Sequence, residues 1–116
     1  MTSAYIKYEG NTPRNRIMEF LVTFAVEDDY SMMDIAKHSK VSYAALKMVW
    51  KEFIKEGRVK FTRNVGKAKM YKLNVQNPVI KKFIEYYWKI IEQETEEKRA
   101  AQYTTSSIGV ASTQHS

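Results

Sequence analysis

The sequence of 116 residues predicts a mainly α fold with a small β-hairpin, an α+β arrangement. Three observations predict it. Apolar residues recur at helical spacing in four stretches, which begin near residues 13, 31, 42 and 78. Between residues 58 and 73 the spacing changes to an alternation of polar and apolar residues, which is typical of paired strands. A capping side chain precedes each helical stretch, so the sequence marks where the helices begin.

The first predicted helix begins at Thr12 and Pro13, where a capping hydroxyl precedes a proline at the first helical position. Its apolar side chains span an arc of roughly 200°, so we expect burial on more than one side. An acidic loop ends the helix. The preceding segment, residues 1–11, has apolar side chains such as Tyr5 and Ile6, and its order depends on whether the domain or a partner covers them.

Residues 31–57 predict two short helices joined by a tight turn. Tyr30 begins a very short strand, and Ser31 caps the first helix. After the turn Ser42 caps the second helix, and Gly57 ends it as the residue that follows the helix cap. This pattern is typical of a helix-turn-helix, in which the second helix enters the major groove of DNA.

The second of these helices has two distinct faces. One apolar arc of about 140° is predicted to face the core, and it consists of Tyr43, Leu46, Val49, Trp50, Phe53 and Ile54. The opposite face consists of Ala44, Lys47, Met48, Lys51 and Lys55. Taken alone, this face is either the solvated side of an ordinary amphipathic helix or a surface that approaches phosphates and base edges.

The distribution of charge favours the second interpretation. Residues 42–72 contain nine basic and two acidic side chains, whereas the segments before and after them are balanced to within one charge. The formal net charge of +6 therefore arises from one block that includes the second helix. Such a block is typical of a nucleic-acid-binding face.

The alternating segment predicts a β-hairpin with a basic tip. Residues 64–67, NVGK, have the composition of a turn, and Arg63, Lys67 and Lys69 flank it. These side chains are placed to reach a minor groove or a phosphate backbone beside the second helix. Basic residues also protect exposed strand edges from aggregation, and this alternative stays open at the level of sequence.

A last helix is predicted to begin at Asn77 and Pro78, and its apolar arc covers about 200°. One core requires only part of this arc, so a second surface must cover the rest. Either the same helix of a second subunit or the N-terminal segment can do so, and the dimer is favoured. The predicted dimerisation residues are Ile80, Phe83, Ile84, Tyr87 and Ile91.

Composition excludes several classes of function. The sequence has no cysteine, and His38 and His115 are isolated, so it predicts no metal site and no cofactor. No nucleophile with a base, paired carboxylate or phosphate loop occurs at usable spacing, so we do not expect an enzyme. The N-terminus lacks a signal pattern and no run of eighteen apolar residues occurs; we therefore expect a cytoplasmic, nucleoid-associated protein without a membrane partner.

Several residues of these elements form a pattern shared with a known group of proteins. They are Ile35, Ala36, Ser39, Val41, Ser42, Tyr43, Phe53, Gly57 and the runs VGKAKMYKLN and NPVIKKF. With this order of elements, the chain resembles a winged helix-turn-helix domain and is similar to archaeal transcription regulators related to the ArsR and MarR groups. The resemblance covers about residues 12–92 and implies a winged-helix fold and DNA binding. Because the chain has no cysteine, it departs from members that sense metals or oxidants through thiols.

The resulting hypothesis is a homodimeric, sequence-selective duplex DNA-binding protein that regulates transcription, with residues 42–55 as recognition helix and 59–73 as wing. The predicted DNA contacts are Ser42, Tyr43, Ala44, Lys47, Met48 and Lys51 in the helix and Arg63, Asn64, Lys67 and Lys69 in the wing. An architectural or plasmid or viral segregation protein is the alternative, followed by a module for protein or RNA contacts. An effector ligand is left open.

The predicted chain division has four parts. These are an N-terminal segment (1–11), a winged helix-turn-helix domain (12–75), a dimerisation helix (76–102) and a disordered tail (103–116).

Overall fold

The computed structural model describes residues 2–111 and contains a mainly helical domain with a small antiparallel sheet, so the predicted fold class is confirmed. The elements follow the predicted order, with one added helix at the N-terminus. They are α1 (Ala4–Glu9), α2 (Pro13–Phe24), β1 (Tyr30–Ser31), α3 (Met32–Ser39), α4 (Tyr43–Lys55), β2 (Val59–Val65), β3 (Ala68–Leu73) and α5 (Pro78–Ala111).

The predicted caps form because short polar side chains precede the helices. The hydroxyl oxygens of Thr12, Ser31 and Ser42 each accept a hydrogen bond at 3.1 Å from the backbone N–H three residues later. Between α3 and α4, Lys40 adopts a left-handed conformation with φ of 57°. Glycine is usual at such a position. Arg16 stabilises the turn by donating to the carbonyl oxygens of Ser39 (3.2 Å) and Lys40 (3.4 Å).

The sheet has three strands in the order β1-β3-β2. The sequence predicted the β2–β3 hairpin and a short strand at Tyr30, and Tyr30 lies opposite Tyr71 of β3. The hairpin turn uses Gly66 at a φ of +60°. The β2–β3 register shifts between Phe61 and Arg63, so Thr62 occupies a β-bulge in the outer strand.

The core lies between the helices and one face of the sheet. Its largest fully buried side chains come from α2, α3, α4, β3 and α5, and they hold the helix-turn-helix against the hairpin. They are Trp50, Phe53, Ile17, Leu21, Ile35, Leu46, Leu73, Ile80 and Val22.

The N-terminal segment folds back onto α5, as in the second of the two possibilities that the sequence left open. Within α1, Tyr5 is only 4% exposed and packs against two aromatic rings of α5. Its ring centroid lies 5.7 Å from that of Phe83 and 5.2 Å from that of Tyr87. The Tyr86 hydroxyl donates to Glu9, which raises the pKa of Tyr86 to about 12.

This packing changes the role of the residues predicted to form a dimer. Ile80 is 0% exposed and Tyr87 is 4% exposed within one chain. Phe83, Ile84 and Ile91 are half-buried against the same core. The wide apolar arc of α5 therefore packs first against α1 and α2, because α1 brings three buried apolar side chains to it.

The last helix is long. It runs from Pro78 to Ala111, past residue 103, where the sequence predicts the start of a separate tail. Adding residues to an existing helix costs little compared with nucleating one. Residues 112–116 of the predicted tail lie outside the described residues. Across the part of the chain that the structure describes, each helix is too short or too polar to cross a membrane.

Candidate nucleic-acid interface

The face of α4 that was predicted to point outward is exposed. Ala44, Lys47, Met48 and Lys51 all lie in solvent, and Met48 is 76% exposed. The opposite side of the helix is anchored in the core by fully buried side chains. A row of lysines interrupted by small or flexible apolar side chains can approach both phosphates and the methyl groups of thymine.

Two residues of the predicted inward arc are more exposed than expected. Tyr43 is 43% exposed and Ile54 is 50% exposed, because both lie at the edges of the arc. The Tyr43 ring lies beside the lysine face, and its centroid is 5.5 Å from the Lys47 Nζ. Tyr43 thus belongs to the outward surface rather than to the core.

The C-terminal end of α4 is fixed by two asparagines that follow the sheet. Asn77 donates from Nδ2 to the carbonyl oxygens of Glu56 (3.1 Å) and Gly57 (2.9 Å), and Asn74 donates to Gly57 at 2.9 Å. A Cβ on Gly57 would lie 3.2 Å from Asn77 Nδ2, and the φ of +70° at this position also favours glycine. Asn77 additionally caps α5 through Val79 N (2.8 Å).

Two arginines form ion pairs with the acidic side chains at the C-terminal end of α4. Arg14 binds Glu52 (Nη1–Oε2 2.7 Å) and Glu56 (Nη2–Oε1 3.3 Å), and Arg58 Nε donates to Glu56 at 2.9 Å. The Arg58 hydrogen bond is the main cause that lowers the pKa of Glu56. From their place at the start of α2, Arg14 and Arg16 are equally well phosphate contacts or solvated side chains, and in the structure both are bound within the chain.

The wing presents its polar and basic side chains at its tip. Asn64, Lys67 and Lys69 are exposed, and Asn64 lies opposite Lys69 in the hairpin register. Arg63 differs from them. Its guanidinium binds the carboxylate of Asp29, a residue of the loop between α2 and β1, although its side chain remains 64% exposed.

A groove of about 420 Å³ lies between the wing and the helix-turn-helix. Residues from both halves of the predicted site line it. The start of α3, the first residue of α4 and the hairpin turn line it. The groove is basic on the wing side and apolar on the helix side. Its lining residues are Ser31, Met32, Met33, Tyr43, Lys67, Ala68 and Lys69.

Three residues of this region are not among the predicted contacts. Met33 is 69% exposed, and its position outside the apolar spacing of α3 is the one signal in the sequence that indicates this. Asp29 and Thr62 were missed because their contacts join segments 33 and 34 residues apart. Such long-range pairs leave no local pattern in the sequence.

No protein-family model and no curated protein matches this sequence. Several solved structures share the fold at low sequence identity. MepR, a transcription regulator of the Staphylococcus aureus multidrug efflux pump MepA, superposes with a TM-score of 0.58 at 12% identity, covering 94% of this chain and 84% of MepR. A point mutant of Lactococcus lactis ZitR, in complex with DNA, gives 0.56 at 20% identity over 85% of this chain and 72% of ZitR.

A third similar structure is Sso10a-2, a DNA-binding protein from Sulfolobus solfataricus. It gives a TM-score of 0.50 at 16% identity and covers 81% of this chain and 95% of that protein. At these identities the likeness is one of fold. The chain has the winged-helix fold found in MarR-type regulators.

Proposed function

We propose that the protein is a transcription regulator that binds duplex DNA, with α4 in the major groove and the β2–β3 wing on the adjacent backbone or minor groove. The observation that carries this proposal is the geometry of the basic block. The lysine face of α4 and the basic tip of the wing are both exposed, and one groove separates them. The solved structures of the same fold support it, since they include a transcription regulator and proteins that bind DNA.

The residues of α4 divide into two roles. Lys47 and Lys51 supply charge for guanine edges or phosphates, and Ala44 and Met48 supply apolar contacts for thymine methyl groups. Ser42 stands at the helix start, where the first backbone N–H groups lack intrahelical acceptors and can bind a phosphate. Tyr43 joins this face through its exposed ring.

The wing contributes contacts that are independent of base sequence. Asn64, Lys67 and Lys69 bind the sugar-phosphate backbone in this proposal, because their side chains are exposed and lie at the tip. Arg63 was predicted to do the same, but its guanidinium binds the carboxylate of Asp29.

The test is selection of bound duplexes from a random pool, followed by competition with RNA. We expect the wild type to select a short motif and to prefer duplex DNA. Met48→Ala should relax the preference at one position by about 1 kcal/mol, the order of burying a methyl group, whereas Lys67→Ala should weaken binding to all sequences and reduce the salt slope by about one. Equal competition by RNA would instead favour the RNA or protein contact module.

We further propose a homodimer, whose contact lies beside the surface covered by α1. Among the α5 side chains that the structure describes, Trp88 remains 45% exposed, and Ile84 and Ile91, which lie about one turn before and after it on the same side of the helix, are only partly buried. Sedimentation of the wild type at micromolar concentration should show a dimer. Trp88→Gln should shift it toward monomer, while the neighbouring exposed Lys89→Gln should not. A monomeric wild type contradicts this proposal.

An architectural or segregation role is the second candidate. It is favoured by the fold that the chain shares with the DNA-binding protein Sso10a-2. The length of the protected DNA separates the two roles. A regulator protects one or two short sites at every protein concentration, whereas a coating protein extends its footprint as its concentration rises.

A further inference from the structure

Strand β3 of the wing is held by its pairing with β1, and a carboxylate adds a link between the outer strand β2 and the body of the domain. Arg63 donates from Nε to Asp29 Oδ2 (3.0 Å) and from Nη2 to Asp29 Oδ1 (3.2 Å). The Thr62 hydroxyl donates to Asp29 Oδ2 at 2.5 Å and also lies 3.2 Å from the Met70 carbonyl oxygen. We refer to Asp29, Thr62 and Arg63 as the wing clasp.

The wing clasp lies where the hairpin bends. Thr62 occupies the β-bulge of β2, and a bulge increases the local bend and twist of its strand. β2 is the outer strand, so within the described sheet no further strand fixes its direction. The bidentate geometry of the Arg63–Asp29 pair supplies such a constraint, because it sets orientation as well as distance.

The environment of the Asp29 carboxylate favours its ionised form. Its side chain is only 14% exposed, although the arginine that it binds is largely in solvent. Hydrogen bonds from Arg63 and Thr62 lower the pKa of Asp29 from 3.8 to about 2. The clasp therefore remains charged throughout the range of pH in which duplex DNA is stable.

We infer that Asp29 is a positioning residue for DNA binding, which holds the wing at the angle that places Lys67 and Lys69 beside α4. This inference rests on the proposed function. Arg63 then acts through Asp29 as the anchor of the wing rather than as a separate phosphate contact. The groove lined by both lysines and Tyr43 is the space whose width the clasp determines.

If Asp29 positions the wing, removing its charge changes the affinity for DNA in the direction opposite to that expected from net charge alone. Asp29 is an acidic residue near a basic face, so removing its charge should strengthen binding to DNA if only the net charge mattered. If the clasp positions the wing, removing the same charge weakens binding, because the wing lysines are no longer held in register with α4.

The experiment compares Asp29→Asn with Asp28→Asn, which makes the same change of charge at an exposed neighbouring residue. We expect Asp29→Asn to lower the affinity for duplex DNA about fivefold, the upper end for one partly exposed ion pair. Asp28→Asn should bind as tightly as the wild type or slightly more tightly. Asp29→Asn binding as tightly as Asp28→Asn overturns the inference.

Two further measurements exclude a general loss of structure. In a hydroxyl-radical footprint, Asp29→Asn should lose protection at the flanks contacted by the wing and keep protection by α4. The double variant Asp29→Asn/Arg63→Ala should bind no worse than Arg63→Ala, because both changes remove the same contact. Additive losses, or flanks that stay protected, contradict the clasp.

Hydrogen exchange of the free protein separates the inference from the proposed function. Asp29→Asn should accelerate exchange of the β2 backbone amides near Thr62 relative to Asp28→Asn. Unchanged exchange overturns the clasp. A wild type that binds no duplex DNA contradicts the proposed function and, with it, the role of Asp29 in DNA binding, whereas the exchange result still decides whether the clasp holds the wing.

Discussion

Replacing Lys47, Lys51 and Lys67 together by alanine is expected to lower the affinity for duplex DNA by about two orders of magnitude. Two of these lysines lie on the exposed face of α4 and the third lies at the wing tip, so the change affects both halves of the proposed site. Each charged contact contributes on the order of 1 kcal/mol. The logarithmic salt slope should fall by about 0.9 for each phosphate contact that is lost.

The matched control is the triple alanine variant of Lys81, Lys82 and Lys89. These exposed lysines of α5 lie outside the α4 and wing surface, and their removal changes the net charge by the same amount. We expect the control to bind nearly as well as the wild type. Equal affinity of the wild type and the Lys47/Lys51/Lys67 variant would refute the proposed interface, and equal losses in both variants would show that only net charge matters.

The second large effect concerns folding. Tyr5→Ala is expected to lower the free energy of unfolding by about 3 kcal/mol, the range found for truncating a buried aromatic residue. The Tyr5 ring is buried against Phe83 and Tyr87 and is the largest buried side chain of α1. Burial is also the main cause that raises the pKa of Tyr5 to about 12, which agrees with a hydroxyl shielded from water.

Urea unfolding of both variants measures this effect. Tyr8→Ala is the control, because Tyr8 lies on the same helix and is 70% exposed. It should change stability by no more than about 0.5 kcal/mol. A loss of similar size in both variants would mean that helix propensity, rather than docking of the Tyr5 ring, determines the contribution of α1.

The parts of the fold that could be predicted from sequence are those determined locally. Capping hydroxyls at Thr12, Ser31 and Ser42 mark helix starts because each needs only a backbone N–H three residues away. Gly57 marks a helix end because its φ is positive. The change of apolar spacing after Gly57 predicted the hairpin, since the alternation of a strand also depends only on adjacent residues.

The docking of α1 could not be predicted in this way. A helix of six residues is marginal by itself and forms because α5 covers it. The sequence showed that the apolar arc of α5 exceeds the need of one core, but it could not identify which surface covers the excess. The spacing of apolar residues indicates that one face of a helix is buried, but it does not indicate which segment covers that face.

The roles of the arginines were equally hidden. From sequence Arg14, Arg16 and Arg63 are free positive charges near a basic block. In the fold each binds a group between 5 and 42 residues away, and most of these groups are more than 20 residues distant. The lysines of α4 and of the wing tip are exposed, as the sequence predicted. Within residues 2–102, none of the ion pairs involves these lysines. Their contacts with DNA remain predictions.

The fixed position of α4 has a consequence for the DNA itself. The buried face of the helix is held in the core, Arg14 binds its acidic side, and Asn74 and Asn77 bind the carbonyl oxygens of Glu56 and Gly57, which follow it. We expect a helix held in this way to keep its orientation within the domain when the protein binds DNA. In the proposed complex, duplexes whose grooves adapt easily to this orientation bind more tightly, and we expect sequence preference to extend to flexible base steps that no side chain touches.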